Sequence, residues 1–229
     1  MNIALILAGG RGTRMGTSVP KQFIEYKEKP ILVYTLEAFA RHPEIDRICV
    51  ICPQENIDLT EQMVNDYKIK RVEWIASGGT TRRESSKIGV FKLSETFGDD
   101  DIVLIHDAAR PNVSAEIISA NIAQAQKYGA CETVVRVQDT IAVSEDNCKI
   151  QKVIDRSVLY NVQTPQSFRL GLIKEAHIAC EKQGRTDEIT DDAALILQNG
   201  GEVFIVEGDK LNIKITTQDD LRILCNVIK

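Results

Sequence analysis

The run Ile3-Ala4-Leu5-Ile6-Leu7 is apolar at both parities, so a strand made from it must be covered on both faces. It breaks at once into a loop with Gly9, Gly10, Gly12 and Gly16, studded with Arg11, Arg14 and Lys21. Glycines let backbone N–H groups approach a ligand, and the cations supply charge for a polyphosphate. A buried strand that runs into a glycine-rich cationic loop is how α/β proteins build a phosphate site at a strand's carboxyl end. The competing reading is a solvated glycine loop with no ligand.

Two phosphate loops can be tested against this stretch. The pattern G-x-x-x-x-G-K-S/T fails, because no Gly-Lys-Ser/Thr occurs. The dinucleotide pattern G-x-G-x-x-G starts with Gly10 and Gly12 but meets Met15 at its third position. The second strand, 48–51, is followed by Cys52-Pro53-Gln54 before Glu55, a poor match to a ribose-binding carboxylate. The stretch instead resembles the signature loop of sugar-nucleotide pyrophosphorylases, L-A-G-G-x-G-x-R-M followed by P-K, which Leu7 to Met15 and Pro20-Lys21 match position by position.

The remaining chain alternates helical and strand patterns. Helices are predicted over 30–40, 57–67, 82–93, 116–128, 170–183, 191–198 and 217–227; strands over 47–52, 72–75, 101–106, 132–137, 202–206 and 212–215. Such alternation predicts βαβ units: an α/β fold of Rossmann-like type, a mostly parallel twisted sheet flanked by helices. Residues 138–162 depart from it, with strand-like alternation around a turn at Glu145-Asp146-Asn147, and are predicted to form a projecting β-arm. Such an arm is either a dimer contact or a plain surface hairpin; the dimer is the reading preferred here. One domain, 1–229, carries this excursion.

Composition narrows the function. A net charge of −5 gives no general basic field for nucleic acid. No apolar run approaches the roughly 20 residues of a membrane span, and the chain enters a strand directly at its start, so a cytoplasmic location is expected. The six cysteines are scattered and are expected as thiols; Cys49 and Cys52 have CxxC spacing but point to opposite faces of one strand, and no second pair completes a zinc site.

At the end of the strand 101–106 comes His106-Asp107-Ala108-Ala109-Arg110-Pro111. An aspartate there lies in the ligand crevice, where one carboxylate can hold Mg²⁺ against a nucleotide phosphate, or it simply caps the next turn. Arg110 is a phosphate ligand or a loop ion-pair residue, and His106 is a packed or supporting residue. Gly78-Gly79-Thr80-Thr81 before Arg82 is a helix N-terminus whose small residues, Ser85 included, can read a base edge or ribose. Lys214, between Ile213 and Ile215, is either edge-strand protection or a phosphate ligand. In the arm and just after it, Thr140, Arg156 and Thr164 could hold a second, smaller phosphate, although Thr164-Pro165 also reads as a turn.

Taken in order, LAGGRGTRMG…PKQF, GG-x-x-R-x-x-S, HDAARP, DT, DR…QTPQ-x-F, TDD-A and NIKIT resemble the 2-C-methyl-D-erythritol 4-phosphate cytidylyltransferases, enzymes of isoprenoid-precursor synthesis, along nearly the whole chain. The resemblance implies the fold type of nucleotide-diphospho-sugar transferases. It implies that Arg14, Lys21 and Lys214 bind the CTP phosphates, with the two lysines stabilising the transition state. Ala8, Gly9, Gly10, Gly12, Gly79, Ser85 and Asp107 would bind the nucleotide, and Asp107 would hold Mg²⁺. Asp107, Arg110, Thr140, Arg156 and Thr164 would serve the sugar-alcohol phosphate, with the arm exchanged across a homodimer. One departure stands out: the family often has lysine after D-T-I/M, where this chain has Ala142. Ribitol-5-phosphate cytidylyltransferases share most of these motifs and often lack that lysine, whereas HDAARP and Thr190-Asp191-Asp192-Ala193 look more like the erythritol family. An NAD-type oxidoreductase lacks its glycine and carboxylate here. A non-catalytic nucleotide sensor would be free to lose Lys21, Asp107 or Lys214, and all three are present.

Overall fold

The computed structural model describes residues 1–10, 20–184 and 191–227, with the side chains of 224–227 excepted. Arg14, Gly12 and Thr190 lie outside the described residues. In chain order the elements are β1 (Asn2–Leu7), β2 (Glu25–Tyr26), β3 (Lys29–Pro30), α1 (Ile31–Arg41), β4 (Arg47–Cys52), α2 (Ile57–Asp66) and β5 (Val72–Ser77). Next come α3 (Arg82–Leu93), β6 (Ile102–Asp107), α4 (Ala115–Tyr128), β7 (Ala130–Arg136), β8 (Ile141–Val143) and β9 (Lys152–Ile154). The last are β10 (Tyr160–Arg169), α5 (Leu170–Lys182), α6 (Asp192–Gln198), β11 (Phe204–Glu207) and α7 (Gln218–Val227).

Seven strands form the main sheet in the order β11-β7-β10-β6-β1-β4-β5. Every neighbouring pair is parallel except those made by β10, which runs antiparallel to both β6 and β7. The apolar run of β1 sits at the centre, as its two-faced burial requires. Ala4 and Ile6 pack on one side with Leu32, Leu36 and Phe39 of α1 and with Ile118 and Ile122 of α4. Ile3, Leu5 and Leu7 pack on the other with Val90 and Leu93 of α3 and with Ile173 of α5. Each such fully buried Ile or Leu contributes about 1.5–3 kcal/mol relative to exposure. The two sides divide the CxxC pair: Cys52 belongs to the first cluster and Cys49 to the second.

The expected strand over 212–215 is absent. Asn212 and Ile215 are buried, Ile213 and Lys214 are half-buried with Lys214 turned to Asp107, and these residues make no ladder. They are tied instead to the turn after β6: Ile215 N–H donates to the Ala109 carbonyl (2.8 Å) and Arg110 Nη1 to the Asn212 carbonyl (2.7 Å). The expected arm over 138–162 also ends too late. Strands β8 and β9 pair with each other as a separate two-stranded sheet, but residues from Tyr160 onward belong to β10 in the main sheet. That strand escaped sequence reading because Gln163, Thr164, Pro165, Gln166 and Ser167 look like a turn. Their polar groups find partners: Gln166 donates to Glu132, Ser167 to the buried Asn121 (2.9 Å), and Gln163 to the Asp209 carbonyl (2.8 Å). The register shifts between Val162 and Gln166, so Gln163-Thr164-Pro165 bulges where the strand passes the crevice. A proline is tolerated at such a bulge, and no turn forms.

Candidate active site

Parallel strands deliver their carboxyl ends to one edge of the sheet, and there the crevice opens. Three backbone bonds carry the ladder past the strand ends: Ala8 N–H to the Ile51 carbonyl (2.7 Å), Gly78 N–H to that of Cys52 (2.9 Å) and Ala108 N–H to that of Leu7 (3.0 Å). The resulting cavity is about 500 Å³, within the size range of small-molecule sites. Ala8, Gly9 and Gly10 form one wall, with Lys21 beside them on a short turn spanning Lys21–Phe23. The buried Gln22 amide donates to the Ala8 carbonyl (2.6 Å) and so pins that turn to the end of β1.

The opposite wall is the start of α3. Thr81 caps the helix in a box with Glu84, whose carboxylate also accepts from Thr80. Gly79 N–H donates to Ser85 Oγ (3.2 Å). The glycines here are set by close approach: a Cβ on Gly78 would lie 2.7 Å from both Ile51 and Ser85, and one on Gly79 would lie 2.3 Å from Glu84. Ser85 Oγ is also 3.4 Å from where a Cβ of Gly9 would sit, so the two glycine segments face each other across one hydroxyl.

Asp107 closes the floor. Its carboxylate meets Lys214 Nζ at 2.8 Å, Arg82 Nε at 3.5 Å and Arg110 Nε at 3.6 Å. Burial alone would raise its pKa; Lys214, then Arg82 and Arg110, outweigh that and hold the carboxyl well below the usual carboxylate range. Arg82 is braced from behind by the buried Asp192 at 2.7 Å, and Ser86 donates to the same carboxylate. Burial works against the Arg82 charge, yet Asp192 and Asp107 raise its pKa overall. One anion thus gathers three cations around a concave surface. That surplus of positive charge is suited to a polyanion.

Ala8, Gly9, Gly10, Lys21, Gly79, Ser85, Asp107 and Lys214 all line this crevice, as does Arg82, which the sequence marks, with Arg83, only as part of a local concentration of cations suited to an anion. Its signal was the R of GG-x-x-R-x-x-S. Arg110 lies just beneath, donating to backbone carbonyls of Asn212 and Val162. The Thr164 hydroxyl lies behind the floor, bonded to the Asp107 N–H (3.1 Å) and to His106 Nδ1 (3.0 Å). Thr140 and Arg156 are exposed and do not line the crevice of this protomer; Arg156 donates to the Gln138 carbonyl.

The sequence profile of the 2-C-methyl-D-erythritol 4-phosphate cytidylyltransferases matches residues 2–228. The chain belongs to this family. A cytidylyltransferase of that name from Clostridium tetani is 43% identical over 220 residues, covering 96% of this chain and 87% of the relative. A ribitol-5-phosphate cytidylyltransferase from Lacticaseibacillus paracasei is 38% identical over 223 residues, covering 96% and 94%. The crystal structure of a 4-diphosphocytidyl-2C-methyl-D-erythritol synthase superposes with a TM-score of 0.84 at 32% identity, covering 100% of this chain and 98% of the other. Membership makes the chain a nucleotidyltransferase, and the crevice fits that chemistry. No helix among the described residues is long and apolar enough to cross a membrane.

One carboxylate is a sparse donor set for a metal, and no group of three acidic, histidine or cysteine ligands occurs among the described residues. It nevertheless fits Mg²⁺, which keeps water and phosphate oxygens for most of its shell. Asp107 Oδ2 is bonded to Lys214, so an ion there would share or take over that oxygen.

Proposed function

We infer that the chain transfers CMP from CTP to 2-C-methyl-D-erythritol 4-phosphate and releases pyrophosphate, a step in isoprenoid-precursor synthesis. The observation that carries this reading is Asp107 with Lys214, Arg82 and Arg110 around it, facing the glycine walls of a nucleotide-sized crevice. An acceptor phosphate oxygen attacks the α-phosphorus in line as pyrophosphate leaves. That nucleophile is already ionised at neutral pH, so the site needs alignment and charge neutralisation rather than a strong base. Lys21 and Lys214 supply the neutralisation, and Arg14 is assigned to the same phosphates. Gly79 and Ser85 hold the base and ribose end, while Ala8, Gly9, Gly10 and Gly12 offer backbone N–H groups. Mg²⁺ held by Asp107 would draw charge from the phosphate oxygens.

The acceptor phosphate is bound by Arg110 with Thr140 and Arg156, the last two supplied by the arm of a partner in a homodimer. The exposed apolar side chains of that arm, Ile150 at 71% and Val158 at 70%, support this arrangement. A cytoplasmic location suits a consumer of CTP. A second reading has two supporting observations: Ala142 follows Thr140-Ile141, and the L. paracasei relative is named for ribitol 5-phosphate. Pyrophosphate release with CTP and Mg²⁺, offering both acceptors in parallel, separates the two. Turnover with methylerythritol phosphate alone supports the reading, and turnover with ribitol phosphate alone replaces its acceptor. Silence with both sinks it. Sedimentation tests the dimer, which a monomer at micromolar concentration would rule out.

A further inference from the structure

Lys214 reaches Asp107 from a segment that no strand ladder holds, so other bonds must fix its backbone. On the C-terminal side Ile215 packs with Ile31 and Ala109 and donates its N–H to the Ala109 carbonyl at 2.8 Å. On the N-terminal side one residue serves, the fully buried Asn212. Its side-chain amide donates to the Thr164 carbonyl at 2.9 Å and to Gln163 Oε1 at 3.2 Å. Its backbone carbonyl accepts from Arg110 Nη1 at 2.7 Å, and its N–H donates to the Asp209 carbonyl at 3.0 Å.

Both amide orientations are forced. A carbonyl only accepts, so the Asn212 NH₂ faces Thr164. The Gln163 NH₂ likewise faces the Asp209 carbonyl at 2.8 Å, which leaves Gln163 Oε1 to accept from Asn212. Asn212 Oδ1 is then buried with no partner among the described residues, a cost that the two donor bonds must offset. A serine or threonine has one donor and an ionised aspartate none, so a short amide is what the place requires. Its two bonds clip the segment to β10 at the bulge where the register of that strand is interrupted. Lys214 stands only two residues beyond the clip.

We propose that Asn212 is a positioning residue for Lys214, its amide standing in for the missing ladder and fixing where the ammonium meets the transferring phosphates. The proposal rests on the crevice being the phosphate-transfer site, and its test is built so that the two fail separately. Asn212→Leu keeps the branched shape of the side chain and removes both donors. In pyrophosphate-release assays it should lower kcat at least about tenfold while the KM for CTP moves less than about threefold, because a misplaced group costs most in the transition state. In a Lys214→Met background the same change should cost less than about threefold more, since no ammonium is left to misplace. Crystals of Asn212→Leu should show Lys214 parted from Asp107.

Losses that multiply across the two sites would make Asn212 a residue of the fold acting independently of Lys214, and would overturn the proposal. So would an unchanged kcat, a loss confined to KM, or an intact Lys214–Asp107 pair in the crystals. Should Asn212→Leu not fold, Gln163→Met removes one acceptor and leaves Asn212 in place. It should lower kcat at least about threefold and lose that effect in the Lys214→Met background; failure of either overturns the proposal. If the parent itself releases no pyrophosphate with either acceptor, the function reading falls, while the crystals still decide whether Asn212 holds Lys214.

Discussion

The crevice floor and the β8–β9 ribbon are built by opposite means. The floor is tied together over long stretches of chain, with Lys214, Arg82 and Arg110 on one carboxylate and Asp192 reaching back to Arg82. The ribbon is tied locally. Asp146 accepts from Cys148 and Lys149 N–H groups at 2.9 Å, β8 pairs only with β9, and Ile150, Val153 and Val158 stand in solvent. Long-range bonds fix side chains before any ligand arrives, which is what a charge-neutralising site requires. Local bonds give a shape but leave its apolar surface for something else to cover.

The contrast would be broken most sharply at Lys214. Lys214→Met should lower kcat by about 10²–10³-fold with the fold retained, since one preorganised cation of this kind is worth that much. Near-normal pyrophosphate release would mean the charge cluster is structural. Next in size, Gly78→Ala should destabilise the protein by about 1–3 kcal/mol in urea unfolding, because its Cβ would sit 2.7 Å from Ile51 and Ser85. An unchanged midpoint would show that the wall yields more easily than its spacing implies.

Glu132 offers a pH test of the long-range network. Burial, with Asp191 adding to it, raises its pKa to about 7, so the folded state binds a proton there that the unfolded chain has released. Stability from this group is present below about 4.5 and falls as pH rises towards 7. Glu132→Gln removes that loss and keeps an acceptor for Gln166, so its advantage over the parent should grow to about 1 kcal/mol by pH 8 and vanish near pH 4. A constant difference across that window would disprove the shift. The smallest effect belongs to the ribbon: Ile150→Ser should leave protomer stability within about 0.5 kcal/mol in dilute solution. A larger, concentration-dependent loss would place the ribbon inside an interface.

Much of this was legible in the chain. The run 3–7 announced a two-faced central strand, and the motifs around Lys21, Gly79 and Asp107 placed residues that do meet in one crevice. Periodicity failed where polarity is satisfied in the interior. Gln163 to Ser167 reads as a turn because sequence cannot show that Asn121, Glu132 and Asp209 wait as partners. Residues 212–215 read as a strand because Ile213, Lys214 and Ile215 alternate in polarity, yet it is Asn212 and Ile215 that are buried and no ladder forms. Arg82 was legible as one of a pair of cations suited to an anion, but not as a residue braced by Asp192, 110 positions away. Thr140 and Arg156 are exposed and line no part of that crevice, which their motifs alone did not show.

The central place of β1 has a consequence for how the protein is made. It is synthesised before both of its neighbours, β4 and β6, which begin at Arg47 and Ile102. At about 5–20 residues per second, a continuous apolar strand waits roughly 5–20 s for its second partner. During that interval the most adhesive segment of the nascent chain has an open edge. Shielding by a holdase, or a slow stretch of codons placed after β6 rather than before it, would govern yield more than any change to the finished fold.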